Sequence, residues 1–211
     1  MVRILVADDH PSVRRGVKEM LIDTFSDVEI EEAATSPEVL ELAGKHPWSL
    51  IILDLTMPGR GGLDTLQDLK SAYPDMPVLV LSMHPEDQFA VRAIRAGASG
   101  YITKESVAEE LILAVKRILA GRRYIRSSVA DLLATQLQDR DVSLPLHSRL
   151  SDRELQVLTL LARGKMVTTI ADELSLSPKS ISTYKTRILE KLNLQSTADI
   201  IRYAIEHHLG E

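Results

Sequence analysis

Two hydrophobic periods alternate over the first 120 residues. Short β-branched or aliphatic runs stand at Val2–Ala7, Val28–Ala33, Leu50–Leu55, Val78–Ser82 and Ser99–Ile102. Between them, helix-period segments cover about Pro11–Thr24, Pro37–Gly44, Gly62–Ala72, Glu86–Ala96 and Val107–Ala120. Strand–helix repeats at this spacing predict a parallel sheet with helices on both faces. Leu50-Ile51-Ile52-Leu53 and Val78-Leu79-Val80-Leu81 are continuously apolar, as strands covered on both faces should be.

The pattern changes at Gly121. Arg126–Gln138 carries one more helical segment, and Asp139–Arg149, with a proline, two serines and no apolar period, reads as a linker. Short helices follow. Ser151-Asp152-Arg153-Glu154 is a capping box that starts a helix at Asp152, and Gly164 stops it. A second helix is predicted over Val167–Leu174. A third is capped by Ser177 with Pro178 at its first position, and a fourth covers about Thr197–His208. The expected division is an α/β domain at 1–121, a linker with one helix at 122–147, and an all-α domain at 148–211.

Charge sharpens the division. The net charge of −5 argues against a nucleic-acid partner until it is apportioned: residues 1–120 hold 12 Lys+Arg against 19 Asp+Glu, residues 148–211 hold 9 against 8. The acidic surplus lies in the first domain. With no cysteine in the chain, a disulfide scaffold, a thiolate zinc site and cysteine catalysis are excluded, and a reducing cytosol suits the composition. The apolar start, Val2 to Ala7, is too short for a signal peptide, and no apolar run approaches the roughly 18 residues of a membrane span. The expectation is a cytoplasmic protein with no membrane partner.

Functional groups of a doubly wound sheet gather beyond the carboxyl ends of its strands. Asp8 and Asp9 follow the first predicted strand, Asp54 ends the third, Ser82 ends the fourth and Lys104 follows the fifth. Taken singly, Asp9 is a helix cap and Lys104 a solvated lysine; the joint placement points to one site. Three carboxylates repel one another and need a cation, and oxygen ligands without His or Cys favour Mg²⁺. Such a site presents a carboxylate nucleophile to a phosphoryl group, with the metal and a lysine neutralising the transferring oxygens and a serine hydroxyl donating to them.

Asp8-Asp9, Asp54-Leu55-Thr56-Met57-Pro58-Gly59, Leu81-Ser82 and Gly100-Tyr101-Ile102-Thr103-Lys104 together resemble a response-regulator receiver domain. The resemblance implies a flavodoxin-like fold, an α/β doubly wound five-stranded parallel sheet. It implies Asp54 as phosphoacceptor, and Asp8, Asp9, Asp54 and the Thr56 carbonyl as Mg²⁺ ligands. Ser82 and Lys104 would read the phosphoryl group, Tyr101 would be a rotating aromatic, and the side chains of Thr56 and His84 would tune hydrolysis of the aspartyl phosphate. A histidine kinase is the implied partner, and a homodimer the implied phosphorylated state.

At 100° per residue, Ile181, Ile188 and Leu192 of the third C-terminal helix fall on one stripe, with Tyr184 and Leu189 beside it. Lys179, Thr183 and Thr186 lie opposite, flanked by Ser182 and Arg187. That face of hydroxyls and cations suits entry into a groove of double-stranded DNA. Leu150–Leu158, Gly164, Ile170-Ala171, Leu174 and Ser177–Ile181 resemble a LuxR-type helix-turn-helix, an all-α four-helix domain. With the receiver, this implies the NarL/FixJ class of transcription factors, with Lys179, Ser182, Thr183 and Thr186 toward DNA and Lys185 and Arg187 near its backbone. Two departures stand out. Val167-Thr168-Thr169 replaces the usual Asn-Lys-Glu, and positions 182 and 186, often basic, carry hydroxyls. Fewer cations imply a shallower salt dependence.

The expected function is a DNA-binding transcriptional regulator switched by phosphorylation at Asp54, with no enzymatic activity beyond adding and removing its own phosphoryl group. The alternatives are a regulator controlled by protein contacts without phosphate, a true phosphohydrolase, for which Asp54 lacks an obvious second acid/base, and an RNA binder, for which the helical domain lacks exposed aromatics.

Overall fold

The computed structural model describes residues 1–57, 61–83, 86–138, 145–174, 176–207 and 209. They form two compact units, 1–140 and 141–211.

In the first unit, β1 (Val2–Ala7), β2 (Val28–Ala33), β3 (Leu50–Asp54), β4 (Val78–Ser82) and β5 (Gly100–Thr103) make one parallel sheet in the order β2-β1-β3-β4-β5. The connections are α1 (Pro11–Thr24), α2 (Ser36–Ala43), α3 (Gly62–Ala72) and α4 (Glu86–Arg95), and α5 (Val107–Leu119) follows β5. Every residue of β3 and β4 is buried, which explains their unbroken apolar runs. On one face Ile4, Val6, Leu50, Ile52, Leu79, Leu81 and Ile102 pack with Val17 and Leu21 of α1 and Leu111, Ala114, Val115 and Ile118 of α5. Each of these valines, leucines and isoleucines, fully buried, contributes about 1.5–3 kcal/mol.

The order places the site. From β1 the chain steps outward to β2 and then back past β1 to β3, so the crevice of the sheet opens between β1 and β3. Ala7 pairs with Leu53, Asp54 with Leu81 and Ser82 with Thr103. Asp8, Asp54, Ser82 and Lys104 therefore finish at nearly the same level.

The far edge of the sheet is closed by the segment after α5. Tyr124 N donates to Ser99 O at 2.8 Å, and Tyr124 forms a parallel bridge with Gly100. Its ring is buried and its hydroxyl donates to Glu110 Oε2 at 2.8 Å, where Arg126 also pairs. A Cβ at Gly100 would stand 2.9 Å from Tyr124 O, so the approach requires glycine. α6 (Ser127–Gln138) then packs on α4 with Val129 buried.

The second unit holds α7 (Asp152–Ala162), α8 (Val167–Glu173), α9 (Pro178–Leu192) and α10 (Thr197–Glu206). The capping box at Ser151 and Glu154 is formed, and Gly164, at φ +76°, ends the first helix in the left-handed region that favours glycine. Leu158, Ile170, Ile181, Ile188, Leu192, Ile200 and Ala204 are buried where the four helices meet.

Some boundaries differ from the sequence reading. β5 is Gly100–Thr103, not Ser99–Ile102, because the ladder runs on to Ser82 and Thr103 while Ser99 gives its carbonyl to Tyr124. β3 stops at Asp54. α2 starts at Ser36, since Thr35 caps it by accepting from Glu38 N. Leu146–Arg149, read as part of a linker, is a 3-10 turn. The last helix ends at Glu206; His208 and linker residues 139–144 lie outside the described residues. Among the described residues no helix is long and apolar enough to cross a membrane.

Candidate functional site

Asp8 is the first residue beyond β1, and three bonds fix it. Its N–H donates to Ala33 O at 3.1 Å, its carbonyl accepts from Arg14 Nη1 at 2.6 Å, and Oδ1 accepts from the His10 N–H at 2.8 Å. Asp54 closes β3, fully buried, and Oδ1 accepts from the Thr56 N–H at 3.1 Å. Lys104 follows β5. Its side chain is 6% exposed, and its ammonium lies 2.6 Å from Asp8 Oδ2 and 2.9 Å from Asp54 Oδ2. Asp9 is partly exposed, with Oδ1 2.6 Å from His10 Nδ1.

Burial pushes the Asp54 carboxyl up from 3.8 to about 6; the Lys104 charge pulls it down, and the Asp8 charge pushes it up again. Burial would lower Lys104, but the charges of Asp54 and Asp8 more than offset it, and its value is raised. Lys104 therefore stays a cation, while one lysine does not suffice for two buried carboxylates.

Oxygen donors remain spare. Asp8 Oδ2, Asp9 Oδ1 and the Thr56 hydroxyl are buried without a hydrogen-bond partner among the described residues. Lys104 Nζ and His10 Nδ1 each stand 2.6 Å from one of these oxygens, Asp8 Oδ2 and Asp9 Oδ1. Donor atoms of Asp8, Asp9, His10 and Asp54 all lie within 4.8 Å of one another. Unpartnered carboxylate oxygens in a buried acidic cluster fit a hard divalent cation.

Ser82 closes β4 and Tyr101 lies on β5, both buried. Asp8, Asp9, Asp54, Thr56, Ser82 and Lys104 thus sit at one end of one sheet, or a residue or two beyond it, while Tyr101 lies further back on β5, paired with Val80. His84, Pro58 and Gly59 lie outside the described residues. His10 and Arg14 were not anticipated. The signal for Arg14 is a cation four residues into a helix whose first turn holds no acid, against the helix dipole. His10 gave none.

In the second unit, α9 is capped by Ser177, which accepts from Ser180 N at 3.1 Å. Ile181, Ile188 and Leu192 face inward; Lys179, Ser182, Thr183, Thr186 and Arg187 are exposed, and Lys185 is half-buried. The hydroxyls of Ser182, Thr183 and Thr186 donate back to Pro178 O, Lys179 O and Ser182 O at 2.9, 3.0 and 3.1 Å. Lys191 at the helix end lies 2.7 Å from Glu154 Oε2, tying α9 to the start of α7.

Both units are similar to known proteins. Residues 4–116 match the family described as response regulator receiver domain, and residues 148–204 match the bacterial regulatory proteins of the luxR family. Response regulator GacA of Pseudomonas aeruginosa is 37% identical over 208 residues, spanning 98% of this chain and 97% of that protein. Response regulator UvrY of Escherichia coli K12 is 30% identical over 210 residues, 99% of this chain and 96% of that one. A structure of the RcsB response regulator of Salmonella typhimurium, concerned with conformational dynamism for DNA interaction, aligns with TM-score 0.61 at 26% identity, covering 97% of this chain and 100% of that one. An RcsB–DNA complex aligns with TM-score 0.57 at 26% identity, covering 97% and 98%.

Proposed function

The chain belongs to the two-component response regulators of the NarL/FixJ class, DNA-binding transcription regulators controlled by phosphorylation, and from that premise we propose that Asp54 receives the phosphoryl group and α9 reads the DNA. The observation that carries the proposal is Lys104 bridging Asp54 and Asp8 at the open end of the sheet.

A carboxylate oxygen of Asp54 attacks the phosphorus of a phosphohistidine presented by a histidine kinase, or of a small acyl phosphate. The bond from phosphorus to the leaving nitrogen or oxygen breaks, the leaving group departs with its electron pair, and an aspartyl phosphate forms. Hydrolysis by water restores Asp54, so the activity is limited to the protein itself. Asp8, Asp9, Asp54 and the Thr56 carbonyl would hold Mg²⁺, which when bound neutralises the oxygens of the transferring group.

Phosphorylation, which turns the carboxylate into a mixed anhydride, removes the Asp54 charge that Lys104 now pairs with, and the phosphoryl oxygens become its stronger attraction. The Ser82 hydroxyl donates to one of them. This inward movement, with rotation of Tyr101, shifts the domain between two states and favours a homodimer. Residues 1–121 act as receiver and 148–211 as reader. Lys179, Ser182, Thr183 and Thr186 face the groove of double-stranded DNA, with Lys185 and Arg187 at its backbone. A charge-divided protein of this kind works in the cytoplasm.

The test is intact mass before and after incubation with acetyl phosphate and Mg²⁺, for the native chain and Asp54→Ala. One phosphoryl adduct, dependent on both metal and Asp54, is expected. An adduct that survives Asp54→Ala would move the acceptor elsewhere.

A further inference from the structure

Arg14 spans two elements. Its Nη1 donates to the Asp8 carbonyl at 2.6 Å and its Nε to Glu32 Oε2 at 3.1 Å. The guanidinium is largely buried and works against the dipole of α1, so its partners hold it there and not the helix. Those partners are themselves anchored. Glu32 lies in β2 and also accepts from Lys18 Nζ at 3.0 Å, while the next residue, Ala33, takes the Asp8 N–H.

The Asp8 carbonyl belongs to the peptide plane that joins Asp8 to Asp9. A plane fixed at its oxygen fixes the direction in which the following residue leaves it. With Asp8 N on β2 and Asp8 O on Arg14, both carboxylates leave a backbone that has little freedom to turn. Lysine at position 14 would supply the charge but not two donors in a planar fork.

We propose that Arg14, anchored by Glu32, is a positioning residue for the Asp8–Asp9 cation site, acting through the backbone and touching neither the metal nor the phosphoryl group. The proposal rests on the reading of that cluster as the Mg²⁺ site. Without Arg14, ion binding must order the acidic loop as well as fill it, so affinity for Mg²⁺ falls. Once the ion is bound, Asp54 is in its usual surroundings and reacts as before.

The experiment is a calorimetric titration of the unphosphorylated full chain with Mg²⁺, for native, Arg14→Met, Arg14→Lys and Glu32→Gln proteins. Labelling rates with acetyl phosphate at saturating Mg²⁺ are measured alongside. Arg14→Met should raise the Mg²⁺ Kd about tenfold, the size expected for loss of an outer partner. Glu32→Gln should raise it less, and Arg14→Lys should fall between native and Arg14→Met. Labelling at saturating Mg²⁺ should be unchanged in all. A native Kd in Arg14→Met overturns the proposal, as does a native Kd in Arg14→Lys, which would reduce the effect to charge alone. Equal losses in labelling at saturation would mean a general structural role, and Arg14→Lys keeps that comparison available if Arg14→Met does not fold. No Mg²⁺ binding by the native chain would instead overturn the cation reading beneath the proposal, and the proposal with it.

Discussion

Lys104 Nζ stands 2.9 Å from Asp54 Oδ2, two residues 50 positions apart in the chain and brought together only by the pairing of β3, β4 and β5. The same ammonium is 2.6 Å from Asp8, so a single cation separates two buried carboxylates. Removing one partner of a buried pair is expected to destabilise by about 3–5 kcal/mol, because the other charge is left without compensation. Lys104→Met should therefore lower the thermal midpoint sharply in EDTA, and saturating Mg²⁺ should recover much of the loss. Equal midpoints for native and variant in EDTA would mean that Lys104 does not hold the carboxylates together.

Asp54 also gives the metal-free domain a particular pH dependence. Its value in the folded state is about 6, against an ordinary 3.8, so the folded chain binds this proton more tightly than the unfolded one. Stability from this group is therefore absent well above pH 6, grows as pH falls through 6 and is complete below 3.8. The full difference is worth about 3 kcal/mol. Glu32, Glu154 and Asp199, whose values are lowered, act in the opposite direction. Comparison with Asp54→Asn cancels them. Urea unfolding in EDTA between pH 7 and 4 should show the native chain gaining stability relative to Asp54→Asn as pH falls. Parallel curves would count against the raised value.

The strands and helices of both units are legible in the sequence because the helices bury a stripe of period 3.6, the central strands are unbroken apolar runs, and residues such as Thr35, Ser151, Ser177 and Ser196 cap helix starts. The residues of the acidic site are legible because a parallel sheet aligns strand ends, so position along each strand already tells which groups meet. What escapes is held by contacts that leave no period. Arg14 reads as one more surface cation on α1, and its two acceptors belong to a loop and to another strand. Tyr124 stands alone between two helices, and nothing in its neighbours marks it as the residue that closes the β5 edge. The bounds of β5 shift by one residue for the same reason, since Ser99 is taken up by Val78 and Tyr124.

That closure is testable at Gly100. A methyl group there would meet Tyr124 O at 2.9 Å, and Leu79 Cδ1 and Tyr124 Cβ at 3.1 Å. Backbone cannot yield as a flexible side chain does, so Gly100→Ala should destabilise by about 1–3 kcal/mol, the range for overpacking. Limited proteolysis should then cut the 121–126 segment faster than in the native chain. Unchanged cleavage and stability would mean that Tyr124 does not rest on Gly100 in solution.

The exposed face of α9 separates two kinds of DNA contact. Lys179 is exposed at the start of the helix, whereas the Thr183 and Thr186 hydroxyl protons are committed to Lys179 O and Ser182 O. The threonines therefore turn methyl groups and oxygen lone pairs outward, features that read base edges and neutralise no phosphate. Lys179→Ala should weaken binding to specific and unrelated duplexes alike and reduce the slope of log K against log salt by about 1. Thr186→Val keeps the shape and a methyl but loses the lone pairs. It should weaken binding to the preferred site by roughly tenfold, within the range for one base contact, and leave the slope unchanged. Fluorescence anisotropy at several salt concentrations distinguishes them. Identical slopes for native and Lys179→Ala would remove Lys179 from the phosphate contacts, and a changed slope in Thr186→Val would mean that α9 meets the duplex on a different face.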